Sequence, residues 1–356
     1  MNYSSRIYAA LELRFHKFAI PGDQLDLLSA DGAVLAEYGI PPRPDQRLSP
    51  RLFAFWRKLV SRPFQFLVPE FPRAPEMEGL HPLAAHMIRP GHGLRPSFSV
   101  RGHRESSRNW SGAYITPYRP YRFNMMVGSW IVPAIEPPAT LPEGACGGIF
   151  RSSAWIGIDG HRGRYPKASL PQIGTRHDIV PAEGPAPSYG AWIQWWKHNP
   201  DPVTDPENRP LPIMNFPVAP GDEIMAGLIV NISNDVQFFI KNQRTGHFAA
   251  AIVIAPGVVD PLGTTAEWIV ERPTNPDTRK MDVLPNYGMV QFSDCLAVSG
   301  PTRSVFGSLQ TLDGNARFIT MRDMFANPHR SAAISIANKI DATTAGVRFS
   351  EPGRTV

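Results

Sequence analysis

The chain has 356 residues, 42% hydrophobic and 19% charged, which suits one large globular domain plus an extension and excludes a disordered chain. Its formal net charge of +5 comes from arginine scattered along the sequence, with no basic patch interleaved with stacking aromatics, so nothing in it points to nucleic-acid binding. Thirty-eight prolines, about twice the usual ~5%, exclude a mainly helical fold, because an interior proline removes a donor and clashes with the preceding turn.

The first hundred residues read as a helical, proline-rich extension. A helix is expected around Ile7 to Phe18, followed by a turn-rich stretch from Tyr38 to Pro44. Ser49-Pro50 then offers a cap and a pre-set first turn, and Leu52, Phe55, Trp56, Leu59 and Val60 make one apolar helical face. Arg89 to Ser107, rich in Gly, Pro, Arg, Ser and His, reads as a linker. Glu12, Arg14, His16 and Lys17 interrupt any apolar run a signal peptide would need, and no run is long enough to cross a membrane as a helix.

From Asn109 the pattern becomes short strands bounded by turn residues. Met125 to Val132, Ser153 to Ile158, Tyr189 to Trp196, Glu223 to Ile232, Val236 to Lys241, Glu267 to Val270 and Met289 to Val298 are the clearest. One or two more are expected around Phe318 and Ile334. Without helical periodicity between them, these strands predict an all-β sandwich or barrel over residues 101–356. Cys146 and Cys295 allow at most one disulfide, and sequence leaves their pairing open.

Several blocks occur in the order of a known family. Asn109-Trp110-Ser111-Gly112-Ala113-Tyr114 and Val127-Gly128-Ser129-Trp130-Ile131-Val132-Pro133 come first. They are followed by Ser153-Ala154-Trp155-Ile156-Gly157-Ile158-Asp159-Gly160, Pro171-Gln172-Ile173-Gly174-Thr175 and the Tyr189–Trp196 block. Weaker turn motifs lie at Pro220–Ile224 and Asn242–Gly246, and Ala266-Glu267-Trp268-Ile269-Val270-Glu271 closes the series. Over roughly residues 105 to 350 the chain resembles the glutamic peptidases, the eqolisins typified by scytalidoglutamic and aspergilloglutamic peptidases, in the form of a bacterial-type homologue.

The resemblance implies two packed antiparallel sheets, a concanavalin-like or jelly-roll sandwich with a substrate groove on one face. It implies endopeptidase activity at acidic pH by a glutamate–glutamine dyad, which falls here on Glu271 and Gln172. It also implies that Trp110, Trp155, Asp159, Tyr189 and Trp196 line or support the groove. No cofactor or metal is expected; the partner is a polypeptide substrate, with no nucleic acid and no membrane insertion, and the protein is expected to be a monomer. Secreted members carry a removable, basic, inhibitory leader, a position residues 1 to about 100 would fill, with Arg89–Ser107 as the cleavage region; the equal alternative is a small helical appendage packed on the sandwich. Two positions depart from the family: Gly190 stands where aspartate is usual, and Trp196 where tyrosine is usual. The basic pI of about 9.3 also differs from the acidic secreted fungal members.

Read from the residues alone, Gln172 is a glutamine in a loop and Glu271 a carboxylate at a strand end, both of types usually found at the surface. Facing one groove they gain a use. A carboxylate takes a proton from water and later returns it to the leaving nitrogen, while an amide donates to the oxyanion. Strand alternation sends Glu267, Ile269 and Glu271 to one face and Trp268 and Val270 to the other. Ser153, His161 and Asp159 lie close enough in sequence to imagine a triad, but no Gly-x-Ser-x-Gly elbow accompanies them. The ten histidines are dispersed with no His-Glu-x-x-His, and His81 and His86 read as solvated. A glycosidase pair of Glu267 and Glu271 would sit about 13 Å apart along the strand, too far for either hydrolytic geometry. The remaining alternative is a non-catalytic peptide- or carbohydrate-binding sandwich lined by Trp110, Trp155, Trp192, Trp195 and Trp196.

Overall fold

The computed structural model describes residues 15–22, 25–72, 104–141, 148–161, 169–181, 184, 186–197, 209–233, 235–255, 260–274, 281–301, 307–323 and 332–351. Ahead of the sandwich come β1 (Phe15–Lys17), α1 (Gly32–Glu37), α2 (Pro50–Leu59) and β2 (Gln65–Leu67). The first part of the sandwich holds β3 (Arg104–Ser107), β4 (Trp110–Ile115), β5 (Arg122–Ile131), β6 (Phe150–Ile158), β7 (Ser169–Ile179), β8 (Ser188–Lys197) and β9 (Leu211–Pro212). After these come β10 (Glu223–Val230), β11 (Val236–Asn242), β12 (His247–Val253) and β13 (Ala266–Glu271). The last are β14 (Met289–Gly300), β15 (Ser308–Gln310), β16 (Arg317–Arg322), β17 (Ala333–Lys339) and β18 (Ala345–Phe349).

Hydrogen bonding links the strands into one continuous sheet that doubles over into two layers. The first layer runs β9-β8-β7-β6-β13-β4-β16, antiparallel throughout. The second runs β18-β14-β5-β10-β11-β12, and β17 connects the layers by pairing with both β16 and β18. Between the layers lies the main core, with Ile156, Ile173, Ile193, Trp268 and Val270 from the first meeting Met126, Trp130, Ile224, Leu228, Phe238 and Ile240 from the second. Two tryptophans stitch across it. Trp268 donates its indole N–H to the Val127 carbonyl at 3.0 Å, and Trp130 donates to the Thr175 hydroxyl, also at 3.0 Å. Each thereby satisfies the one polar atom it takes into the core.

All seven strands expected from the pattern are present, as are those around Phe318 and Ile334. The structure adds others, the longest of them β7 and β12. β7 escapes the pattern because Pro171 and Gly174 look like turn residues, yet it is paired on both sides, with β6 and with β8. Gln172 is therefore a strand residue, not a loop residue.

In the extension, α2 spans Pro50–Leu59 as its spacing predicts, but Ser49 makes no side-chain cap. Asp31 does cap, accepting from Ala33 N and Val34 N at the start of α1. Where a helix was expected up to Phe18, Phe15–Lys17 is a strand added to the edge of β12; residues 1–14 lie outside the described residues. Here the ladder offered by an open sheet edge outweighs local preference. Leu52, Phe55, Trp56 and Leu59 of α2 bury against Met125, Val127, Met225, Phe239, Phe248 and Leu296 on the outer face of the second layer. At roughly 1.5–3 kcal/mol for each large side chain, this contact is a substantial part of the fold. Residues 89–103 of the linker-like stretch, together with His81, His86 and Cys146, lie outside the described residues.

Candidate active site on the outer face of the first layer

The outer face of the first layer carries a second kind of cluster, built from Trp110, Tyr114, Trp155, Leu170, Trp192, Trp196, Ile269 and Ile319, all closed to solvent. Cross-strand register sorts its side chains into three rows. One holds Trp110, Glu271, Ser153, Arg176 and Gly190 on β4, β13, β6, β7 and β8. The middle row holds Gly112, Ile269, Trp155, Gly174 and Trp192. The third holds Tyr114, Glu267, Gly157, Gln172 and Gln194. Gly174 makes room for the middle row, since a β-carbon there would lie 2.5 Å from that of Trp155.

Glu271 is fully buried, and donors reach both of its oxygens. Asn109 Nδ2 donates to Oε1 at 3.1 Å and Trp155 Nε1 to Oε2 at 2.8 Å. Asn109 is itself fixed by Ser107, whose hydroxyl bonds its side chain and accepts from its backbone N–H. Burial pushes the Glu271 carboxyl up to about 8, against the opposing pull of the donors from Trp110, Trp155 and Asn109. Glu267 is likewise raised by burial and by nearby Asp159, despite a bond from the Thr265 hydroxyl at 2.5 Å.

Gln172 is also fully buried. Its Nε2 donates to Gln194 Oε1 at 2.6 Å, while its own Oε1 has no hydrogen-bond partner. No hydrogen bond joins Gln172 to Glu271. The two share a face but stand two strands and two rows apart, on a diagonal through Trp155, so their Cα atoms would be about 16 Å apart on a flat sheet. Glu271 leans toward Asn109, and Gln172 leans toward β8.

The other expected site residues divide. Trp110, Trp155 and Trp196 belong to this face. Tyr189 does not, because it pairs with His177 on the opposite, core-facing side and packs against the main core, where its hydroxyl accepts from Ile135 N at 3.3 Å. Reading the Tyr189–Trp196 block as one lining segment missed that alternate residues point opposite ways. For the same reason Trp195 sits in the inter-layer core while Trp192 and Trp196 face out. Asp159 ends β6 in a left-handed conformation, with φ of 73°. Its carboxylate takes four hydrogen bonds from Leu262, Gly263 and Thr264, fixing the turn that leads into β13. The imagined triad does not form, since His161 Nε2 lies 2.6 Å from Glu105 Oε2 and Ser153 Oγ has no partner. Burial opposes ionisation of Glu105, but His161, Tyr114 and Arg317 outweigh it and hold that carboxyl down at about 2.

Asn109, Gln194 and Arg176 were not singled out by sequence, because their importance depends on which strands lie side by side. Gly190 is explained in the same way. The Arg176 guanidinium lies over it, and a β-carbon at Gly190 would come within 3.1 Å of Arg176 Nε.

The Peptidase A4 family profile matches residues 108–322, and the chain belongs to that family, the eqolisins. In structure it is similar to scytalido-glutamic peptidase with a transition-state analogue inhibitor, at 18% identity and a TM-score of 0.50 over 68% of this chain and 99% of that one. It is also similar to aspergilloglutamic peptidase from Aspergillus niger, at 20% identity and a TM-score of 0.43 over 56% of this chain and 99% of that one. No protein of curated function matches the sequence.

Proposed function

We propose that the chain is an endopeptidase in which Glu271 is the acid–base group and Gln172 the oxyanion donor. What supports this reading is the setting of Glu271, a fully buried carboxyl hydrogen-bonded at both oxygens on a tryptophan-walled face, within the block that resembles the family's catalytic-glutamate block. Ionised Glu271 takes a proton from water as the water oxygen bonds to the scissile carbonyl carbon. The oxygen that becomes negative accepts from Gln172 Nε2. As the C–N bond breaks, Glu271 returns the proton to nitrogen, leaving a carboxylic acid and an amine.

Two conditions attach to the geometry. The peptide group must lie over the Trp155 row, with the Gln172 amide swung from Gln194 toward it. The base must also ionise. In the closed site Glu271 keeps its proton below about pH 8, so acid activity requires water or substrate donors to enter and lower that value. Digestion of a denatured protein from pH 2 to pH 8 tests the dyad, with Glu271→Ala and Gln172→Ala each expected to lose turnover. Undiminished activity in both would remove the dyad.

A second reading, a binding module without turnover, draws on the Gln172–Gln194 bond that turns the amide away from Glu271. A fold-intact wild type that binds peptides and cleaves none across that pH range would establish it.

A further inference from the structure

The Glu271 row contains two unused donors. Ser153, the direct cross-strand neighbour of Glu271, has a buried hydroxyl with no hydrogen-bond partner. On its other side stands Arg176, whose Nε–H is also buried and unpartnered. Buried donors left unpaired are unfavourable, so two on one row beside the carboxyl proposed for catalysis suit a ligand that brings acceptors.

The guanidinium is held ready. Nη1 donates to Asp178 Oδ2 at 2.5 Å and lies 3.5 Å from Ser188 Oγ, which holds the guanidinium while Nε lies beside Gly190 without a partner. Gly190 leaves room for it, since a β-carbon there would crowd the guanidinium at 3.1 Å from Nε. Asp178 also faces Arg151 Nε at 3.8 Å, and Arg151 is in turn paired with Asp282 at 3.3 Å. Unlike the tryptophans and carboxyls around it, the Arg176 side chain keeps a third of its surface open, at 33%.

We infer that Ser153 and Arg176 form a subsite for a carboxylate of the bound peptide. This rests on the peptidase reading and names its substrate class. Arginine and a hydroxyl satisfy a carboxylate with charge-assisted hydrogen bonds, and a neutral side chain would leave the Nε–H desolvated and unpaired. The carboxylate has two sources, an Asp or Glu side chain or a free C-terminus. The first makes the enzyme selective for acidic sequences; the second makes it cut near chain ends.

Three peptides of one sequence separate these sources: an amidated neutral peptide, the same with one Gln changed to Glu along a positional series, and the neutral peptide with a free C-terminus. Affinity is measured by calorimetry at pH 6 with Glu271→Gln protein, and kcat/KM with wild type. One carboxylate-bearing form is expected to be favoured at least about tenfold over the neutral peptide. In Arg176→Gln that ratio falls to about one, with an intermediate ratio in Arg176→Lys, and circular dichroism verifies the fold of each variant. A ratio near one in the parent protein, or a ratio that survives Arg176→Gln, overturns the subsite. If carboxylate-dependent binding is present while wild type cleaves nothing, the subsite stands and the peptidase reading falls. Absence of any binding overturns both.

Discussion

The two outer faces of this doubled sheet are both largely closed to solvent, yet they are built from opposite materials. The second layer's face meets α2 through aliphatic, aromatic and methionine side chains. Its buried Lys241 is satisfied, with Nζ donating to the Ser61 carbonyl at 2.6 Å and lying 5.1 Å from the Phe64 ring. The first layer's face buries two glutamates and leaves polar atoms of Ser153, Gln172, Arg176 and Trp192 without partners. A face made for permanent packing satisfies its polar groups. On the peptidase reading proposed above, the groups left without partners belong to the face that receives the substrate.

The contrast breaks most sharply at Glu271. Glu271→Gln keeps the volume and one acceptor but removes the base, and kcat against a peptide should fall about 10²–10⁴-fold. On the other face the loss should appear in stability instead. Leu59→Ala removes a fully buried α2 side chain and is expected to cost about 2–5 kcal/mol in urea unfolding, with the pH profile of turnover unmoved. If Leu59→Ala shifted that profile, the two faces would not be separate in function.

Titration sharpens the comparison. Glu271 on the outer face has a folded value near 8, raised by burial from 4.5, so the folded state keeps a proton that the unfolded chain loses. Its contribution to stability therefore declines as pH rises from about 4.5 to about 8. His177 faces the inter-layer core between Ser152 and Thr175, and burial, with Arg176 nearby, pushes it down from 6.5 to about 3. There the unfolded chain binds the extra proton, so stability falls as pH drops from about 6.5 toward 3. Each slope reaches up to about 1.4 kcal/mol per pH unit. Between about 4.5 and 6.5 the two oppose each other. Relative to wild type, Glu271→Gln should steepen the acid-side loss, and His177→Asn should expose the decline toward alkaline pH. Unfolding free energy measured every half unit from pH 3 to 9 checks both signs; parallel curves would show that neither group titrates as its burial implies.

What the sequence made legible was whatever depends on one strand at a time. The alternation within Ala266–Glu271 placed Glu267, Ile269 and Glu271 on one side and Trp268 and Val270 in the core, as found. It does not supply register, so Gln172 reads as a loop residue and Arg176, Gln194 and Asn109 carry no role of their own. Tyr189 was grouped with its block although its parity turns it inward. In the extension, the apolar face of α2 was visible in its spacing, but the face that receives it was not. That face comprises single residues of β5, β10, β11, β12 and β14, far apart in sequence.

The smallest expected effect concerns Asn109, which touches Glu271 only through one amide. Its hydrogen bond at 3.1 Å favours the ionised carboxylate, so Asn109→Ala should move Glu271 further up. The rising limb of kcat/KM that reports ionisation of the base should then shift to higher pH, by about half a unit to one unit for a bond of ~1 kcal/mol. Asn109→Asp adds a like charge beside Glu271 and should shift the limb in the same direction and further. A purely structural Asn109 would lower expression or melting temperature in both variants and leave the limb in place. Movement of the limb with the fold retained is therefore what distinguishes a residue that tunes Glu271 from one that only anchors the start of β4.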